Sequence, residues 1–406
     1  MRIAQGRNPR IVTVSLALLR AYDAVITCDM FVETRRETML VACMGCWPGL
    51  LGCGDNMGAD AGTTDMHSTA GPALPDVAVR YETRYLDIAP IFAAPLCAGT
   101  LAMLDSHVEH VAAATEIDVN ARILVFLAGA SVDPPAGWCH DEYGACYDSV
   151  LDVVFTPLSA APHEIVHAIT IRDRGLSFWN ENVAHAFEDR YVTYKSLWKA
   201  GPTWPPAFYR NGHLARWLIA WGGGPAFMDL FAETRPGADQ QEVEAAFRKV
   251  YGEELAEVLD EYAATAPHVY PDHLQCYVPS GTSEVPWNDH RWEHEVTLDC
   301  TQESTFTADE DISRMSARVP FSIAAAGKYR FTADHPQAEI SVRVCIDEPL
   351  VEPFEDLERW PKVSKMNLGA PSFPVGRYVL EVSVPLGEPT TVRLLGFPAI
   401  EDQPAP

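Results

Sequence analysis

Basic residues are scarce in this chain of 406 residues, in which 30 Lys and Arg stand against 56 Asp and Glu, for a net charge of -26. A surface this acidic repels a phosphate backbone, so the composition argues against a nucleic-acid partner. Long apolar runs are also absent, because the two runs near the start, residues 11–19 and 38–51, are shorter than the roughly 20 residues that span a bilayer. With 48% hydrophobic and 10% aromatic residues, the chain is expected to be globular.

The second apolar run has the order of a signal peptide, since Arg35 and Arg36 precede it and Leu50-Leu51-Gly52-Cys53 ends it. This ending resembles the lipobox of bacterial lipoproteins, whose cysteine carries a lipid. Residues 1–53 are therefore predicted to be a leader. The resemblance implies a bacterial cell envelope protein that touches a membrane only through a lipid anchor at Cys53, with secretion as the alternative.

Two features flank the anchor. Met30 is an alternative translation start, because a chain beginning there keeps both arginines ahead of the apolar run. Residues 54–75 are small, polar and without periodicity, so they are predicted to be a flexible linker between the anchor and the folded part.

Six cysteines follow residue 53, and none of them forms a CxxC pair, which argues against a zinc ribbon or a thioredoxin-type site. In an exported protein these six are expected to form disulfides. Cys139 and Cys146 are the one predicted pair, because the segment between them closes a short loop rich in turn residues. The pairing of the other four, Cys97, Cys276, Cys300 and Cys345, stays open.

Hydrophobic periodicity predicts an α+β protein. Strands are expected at residues 77–88, 122–128 and 150–156, and a helix at 98–114. Helical patterns continue to residue 264, with one helix expected from Ser177 to about residue 194 and an interruption near Gly252. Beyond residue 267, short alternating runs separated by turns are typical of a β-sandwich. The predicted segments are an α+β domain at 76–268, a connection at 269–300 and an all-β sandwich module at 301–400.

The sharpest motif is His163-Glu164-Ile165-Val166-His167, an HExxH sequence directly after the strand at 150–156. Ser159 is a predicted N-cap and Pro162 suits a first helical turn, so the motif is expected on a helix. Residues at i and i+4 share one helical face, so both imidazoles can bind one metal ion. Glu164 then lies beside a metal-bound water molecule.

A further carboxylate follows thirteen residues after the motif. Glu181 lies in the segment FWNENVAHAFED, which resembles the WxxEGxAxxxE helix of the gluzincin zinc metallopeptidases, in particular the peptidase MA-like group. The resemblance covers about residues 150–265. This sequence departs from the family in having Asn182 where the family usually has Gly, and in a spacing shorter than that of the best-known gluzincins.

The resemblance implies a zincin-like fold with a helical carboxy-terminal part and one Zn²⁺ per chain. In it, His163, His167 and Glu181 bind the metal, and Glu164 activates the zinc-bound water that hydrolyses peptide bonds of a protein or peptide substrate. Tyr209 is the first candidate for the partner of the developing oxyanion.

Other residues have weaker assignments. His185 and His213 are alternatives to Tyr209 for the oxyanion. Glu188 lies seven residues after Glu181 on the same predicted helical face, where it can orient a ligand histidine or simply face solvent.

Two further histidine pairs are not expected to bind metal. His107 and His110 are predicted to face solvent on their helix, and His290 and His294 fall in the connection, where no helix is predicted. Two alternatives to an enzyme remain open. One is a non-catalytic, zincin-like binding lipoprotein with a recognition sandwich, and the other is a sandwich that carries the function with the helical part as a spacer.

Overall fold

The computed structural model describes residues 74–129, 144–188, 212–271, 273–274, 276–308, 311–346, 348–349 and 372–399. All of them belong to one unit of the chain, residues 69–406. Within these ranges no helix combines the length and the apolar character needed to cross a bilayer. The predicted leader at 1–53, and nearly all of the predicted linker at 54–75, lie outside the described residues.

A five-stranded mixed sheet lies in the amino-terminal half. Its strands are β1 (Tyr81–Glu82), β2 (Leu86–Pro90), β3 (Ile123–Ala128), β4 (Cys146–Asp148) and β5 (Val153–Pro157). Their order across the sheet is β1-β2-β3-β5-β4, in which β2, β3 and β5 are parallel and both edge strands are antiparallel to their neighbours. The central strands β3 and β5 are apolar and mostly buried, as parallel strands covered on both faces usually are.

The described residues include seven α-helices. They are α1 (Ala98–Thr115), α2 (Ala161–Ile171), α3 (Asn180–Phe187), α4 (Gly212–Gly222), α5 (Gly224–Glu233), α6 (Gln240–Tyr251) and α7 (Leu255–Thr265). Their apolar faces share one hydrophobic core with strands of the mixed sheet. Helix α6 begins at a capping box formed by Asp239 and Glu242 and ends at Gly252, whose φ of 75° is left-handed. Gly252 therefore separates α6 from α7, as the sequence predicts.

The carboxy-terminal half consists of two antiparallel sheets. Their strands are β6 (Trp292–Leu298), β7 (Thr305–Thr307), β8 (Arg314–Ile323), β9 (Gly327–Ala333), β10 (Glu339–Cys345), β11 (Ser372–Phe373), β12 (Gly376–Pro385) and β13 (Thr390–Pro398). One sheet has the order β10-β12-β8-β7 and the other β11-β9-β13-β6. Inward side chains of both sheets share one hydrophobic core, which is the arrangement of a β-sandwich.

Helix α1 joins the two halves. Cys97, the residue before the helix, forms a disulfide with Cys300, which lies between β6 and β7. Gly99 allows the helix to approach closely, because a Cβ at that position would lie 2.6 Å from the carbonyl oxygens of Glu303 and Thr305. The start of α1 is therefore covalently and sterically fixed against the sheet that contains β7.

The other cysteines are also paired where the structure describes them. Cys276 forms a disulfide with Cys345, 69 residues away in sequence, and Cys146 is disulfide-bonded. Cys139, the predicted partner of Cys146, lies outside the described residues. The Cys97–Cys300 bond spans 203 residues, which is why the spacing of cysteines along the chain does not identify it.

The α+β class is confirmed, and four local predictions are wrong. Ser159 is not an N-cap, because residues Leu158–Ala160 form a turn of 3-10 helix and α2 begins after it without a side-chain cap. The helix predicted to reach residue 194 ends at Phe187, since Glu188 has an extended backbone. Strands β1 and β2 replace the single strand predicted at 77–88. Strand β6 lies within the predicted connection at 269–300.

Gly224, at the start of α5, tests how closely the helices pack. A Cβ there would lie 2.3 Å from the carbonyl oxygen of Ala114 and 2.8 Å from backbone atoms of Thr115. We expect Gly224→Ala to lower the free energy of unfolding by roughly 1–3 kcal/mol, because backbone cannot move aside without strain. Urea unfolding measures the effect. Gly144→Ala is the control, because no atom of the described residues lies within 4 Å of its added Cβ. Equal stabilities of the two variants would contradict the packing.

Candidate metal centre

Helix α2 carries the HExxH motif and presents both histidines on one face. Its other face is fixed by Ile165, Val166 and Ile169, which are buried in the core. Because positions i and i+4 lie one turn apart, the rings of His163 and His167 approach to 4.8 Å between centroids. Their Nε2 atoms are 3.1 Å apart. The rotation of the helix thus directs two imidazole nitrogens toward the same point.

Helix α3 adds a carboxylate to this point. Glu181 lies in its first turn, with Oε2 3.5 Å from Nε2 of His163 and Oε1 3.5 Å from Nε2 of His167. The chain reverses between the two helices at Gly175, whose φ of 78° favours glycine. The side chain of Glu181 is 52% exposed, whereas those of the two histidines are 15% and 9% exposed. The group is therefore open to solvent on the side of the carboxylate.

These separations fit a tetrahedral metal ion. When the bonds from a metal are about 2.0–2.2 Å long, as for zinc, tetrahedral ligand atoms lie about 3.3–3.6 Å from one another. The three separations among His163, His167 and Glu181 are 3.1, 3.5 and 3.5 Å. Two imidazole nitrogens and one carboxylate oxygen are also a common donor set for zinc. His163, His167 and Glu181 can therefore hold a metal ion without rearrangement.

Glu188 bridges two histidines beside this group. Its Oε2 accepts a hydrogen bond from Nδ1 of His163 at 2.8 Å, and its Oε1 accepts one from Nδ1 of His185 at 2.7 Å. The sequence leaves open whether Glu188 orients a ligand histidine or faces solvent, and the structure shows the contact with His163. The predicted reason is wrong, however, because Glu188 is the extended residue that ends α3 and does not lie on its helical face.

A second group, His163, His185 and Glu188, also brings three candidate ligand atoms within 4.8 Å of one another. Its two closest separations, 2.7 and 2.8 Å, are those of hydrogen bonds and are shorter than the ligand-to-ligand distances around zinc. His163 belongs to both groups. His163, His167 and Glu181 are therefore the better candidate metal position, and Glu188 holds the ring of His163.

The electrostatics of the site favour a positive charge between the ligands. Burial alone would lower the pKa of His163, but its hydrogen bonds to Glu181 and Glu188 raise the pKa to about 10. Burial alone would raise the pKa values of the two carboxyls, but their interactions with the histidines lower both to about 2. In the metal-free protein His163 thus carries a proton, which a metal ion has to displace.

Burial shifts the pKa values of the other two titratable residues of the motif toward their uncharged forms. Burial raises the pKa of Glu164 to about 7, although a hydrogen bond from the backbone of Tyr147 opposes this shift. Burial lowers the pKa of His167 to about 4, so this imidazole is neutral at pH 7 and its lone pair is available to a metal. Tyr147 lies in β4, so Glu164 lies beside the edge strand of the mixed sheet.

None of the remaining predicted residues that the structure describes is brought to the metal position. Tyr209 lies outside the described residues. His213 is fully buried, where its Nδ1 lies 2.9 Å from the hydroxyl of Tyr262, so it belongs to the core. His290 is exposed and His294 lies on β6, and neither occurs in the two candidate metal groups.

His107 is the histidine that the sequence places wrongly. It is predicted to face solvent, but it is fully buried between α1 and α2, and its Nε2 lies 3.0 Å from the carbonyl oxygen of Pro162. Only an N–H can bond a carbonyl, so Nε2 is the protonated nitrogen of a neutral ring. The bond joins α1 to the residue that precedes the HExxH motif.

This burial makes stability depend on pH. Burial lowers the pKa of His107 from 6.5 to about 3. Between these values the unfolded chain binds a proton here and the folded chain does not, so the free energy of unfolding rises with pH by about 1.4 kcal/mol per unit from this group. We expect His107→Gln, which keeps a donor but cannot titrate, to show a correspondingly shallower slope in urea unfolding between about pH 4 and 6. Equal slopes would contradict a buried neutral imidazole.

No protein-family model, curated protein or solved structure matches this chain.

Proposed function

We propose that this protein is a zinc-dependent metallopeptidase of the gluzincin type, with a zincin-like fold in residues 76–268, that hydrolyses peptide bonds. One observation carries the proposal: His163, His167 and Glu181 converge at separations of 3.1 to 3.5 Å beside the buried carboxyl of Glu164. The HExxH motif and the downstream glutamate, on which the resemblance to the peptidase MA-like group rests, are the residues that meet.

The ligand set favours a catalytic metal over a structural one. Structural zinc sites usually have four protein ligands and no open position, whereas catalytic sites have three protein ligands and a free position. Three ligands converge here, and Glu181 is half exposed, so the remaining position is accessible among the described residues. One Zn²⁺ per chain is the stoichiometry that this geometry supports.

Each residue of the site has a separate role in the proposed hydrolysis. A bound zinc ion lowers the pKa of water and polarises the carbonyl of a substrate. Glu164 accepts the proton of the attacking water and passes it to the leaving amine. Its pKa of about 7 suits both transfers near neutral pH. Glu188 holds His163 through Nδ1, which leaves Nε2 for the metal. Tyr209 remains the proposed partner of the oxyanion.

The sheet edge supports a polypeptide substrate. Strand β4 ends the mixed sheet, and the backbone of its Tyr147 hydrogen-bonds Glu164. An extended peptide can add to such an edge through main-chain hydrogen bonds, which would align its carbonyl groups with the site. The edge strand and the catalytic carboxyl are thus close enough to act on one chain.

We also propose that the protein works in the bacterial cell envelope, anchored at Cys53 or secreted. Its disulfides support an oxidising compartment, because such bonds rarely persist in the cytosol of mesophiles. The anchor itself rests on the resemblance of residues 50–53 to a lipobox.

Hydrolysis of casein and of unstructured peptides tests the function. We expect the purified protein to cleave them, to lose activity when a chelator removes the metal, and to regain it when zinc is restored. A protein that retains zinc but cleaves none of these substrates would contradict a peptidase and support the non-catalytic binding protein instead.

A further inference from the structure

Glu188 has a second partner besides His163, and this partner is not a ligand of the metal position. Each of its carboxylate oxygens accepts one imidazole N–H, from Nδ1 of His163 at 2.8 Å and from Nδ1 of His185 at 2.7 Å. A carboxylate has only acceptor atoms, so both Nδ1 atoms are the donors. His185, Glu188 and His163 therefore form one chain of hydrogen bonds that ends at the metal-facing nitrogen of His163.

The orientation of His163 depends on this chain. The partner imidazole, His167, has its Nδ1 buried without a hydrogen-bond partner among the described residues. Of the two ligand imidazoles, His163 is thus the one that a carboxylate orients. Glu188 in turn follows the last residue of α3 and has an extended backbone, so the helix does not fix its side chain. The two imidazoles fix it instead.

His185 is well placed to hold that carboxylate. It lies three residues before Glu188, in the last turn of α3, and its ring lies 5.0 Å from the ring of His163 between centroids. The side chain of Glu188 is 18% exposed and that of His185 is 30% exposed, so solvent only partly competes for their bond. Loss of the His185 donor would leave one oxygen of Glu188 unbonded and its side chain free to turn away from His163.

We propose that His185 is a positioning residue of the metal centre, which acts through Glu188 to fix the ring of His163. The inference rests on the proposed metal site and adds a residue to it. The sequence instead considers His185 for the oxyanion, a role that would use its other ring nitrogen, Nε2. Loss of an outer hydrogen-bond partner of a ligand histidine typically lowers metal affinity about 10- to 100-fold. Because His185 acts one bond further out, we expect about a 10-fold effect.

Two amide substitutions separate positioning from simple packing. The side-chain nitrogen of Asn occupies the place of Nδ1 in His, whereas that of Gln occupies the place of Nε2. His185→Asn therefore keeps the donor to Glu188, and His185→Gln loses it. The probe is Co²⁺ bound to the purified protein, for which both the visible spectrum and the rate of release to a chelator are measured. Circular dichroism of each variant confirms that it is folded.

We expect His185→Gln to release Co²⁺ about 10-fold faster than the unchanged protein and to alter its spectrum, and His185→Asn to restore both. In a Glu188→Ala background, His185→Gln should have no further effect, because the residue that it acts through is missing. Equal release rates for the Asn and Gln variants, or additive effects of the two changes, would overturn the proposal.

Three outcomes distinguish failure of this proposal from failure of the proposed metal site or of the proposed peptidase function. If both His185 variants lose Co²⁺ entirely while Glu181→Gln keeps it, the metal is held by His163, His185 and Glu188, and His185 is a ligand. If the unchanged protein binds no Co²⁺ or Zn²⁺, the proposed metal site itself is wrong and the positioning role falls with it. Metal binding without peptide hydrolysis would overturn the peptidase function alone.

Discussion

Glu164→Gln is expected to lower the rate of peptide hydrolysis by about 100- to 10,000-fold, the usual contribution of general acid–base catalysis. Gln has nearly the same shape as Glu but cannot accept the proton of the attacking water. Glu164 is not among the three residues whose ligand atoms converge on the metal position, so the variant should still bind the metal. The rate of peptide cleavage and the metal content are measured on the same preparation. We expect the first to fall and the second to stay the same.

Glu257→Gln is the matched control, because Glu257 also lies in the first turn of a helix, α7, away from the site. It should hydrolyse peptides at the unchanged rate. A Glu164→Gln protein that keeps full activity would exclude Glu164 as the base. If it loses both activity and metal, its carboxyl is needed for the metal site instead.

His167→Ala is expected to weaken zinc binding by more than about 100-fold, because loss of a ligand costs more than loss of the outer partners that contribute 10- to 100-fold. His167 is neutral and buried, and its Nε2 lies 3.1 Å from that of His163 and 3.5 Å from Glu181. Its removal leaves one nitrogen and one carboxylate, too few for a catalytic zinc site. Competition with a chelator of known affinity measures the loss.

His290→Ala is the control for this change. His290 and His294 have the same i, i+4 spacing as the motif, but His290 is exposed and precedes strand β6, which contains His294. Outside a helix, this spacing does not bring the two rings together. Its zinc affinity should equal that of the unchanged protein. Equal affinities for the His167 and His290 variants would show that the motif does not bind the metal.

The pair of histidines in the metal position follows directly from the sequence, because helical spacing alone places His163 and His167 on one face. Glu181 follows from the resemblance, and the structure places its carboxylate at the expected point even though the spacing is short for the family. The helices α2 and α3 meet through a tight turn at Gly175, so the thirteen intervening residues suffice.

The supporting contacts were harder to predict, since they depend on how helices end and pack. Helical periodicity offers contact with a ligand histidine as one of two alternatives for Glu188, yet the observed contact with His163 depends on the helix ending one residue earlier. The role of His185 was missed, although its position three residues before an acidic residue is a usable signal. His107 was placed on the surface because the pattern of α1 does not show that α2 covers it.

Local sequence patterns do not predict contacts between residues that are far apart in the chain. The disulfide partners Cys97 and Cys300 are 203 residues apart, and no local sequence pattern links the two positions. The sequence places strand β6 in the connection because the segment around it is rich in Pro and Asp. Its end residues, Trp292 and Leu298, are nevertheless fully buried, because both pack into the core that the two sheets share.

Anomalous diffraction at the zinc edge from crystals of the zinc-loaded protein tests the central claim most directly. The account predicts one peak per chain, within about 2.0–2.2 Å of Nε2 of His163, Nε2 of His167 and a carboxylate oxygen of Glu181. A peak between His163, His185 and Glu188, or the absence of any peak near α2 and α3, would contradict it.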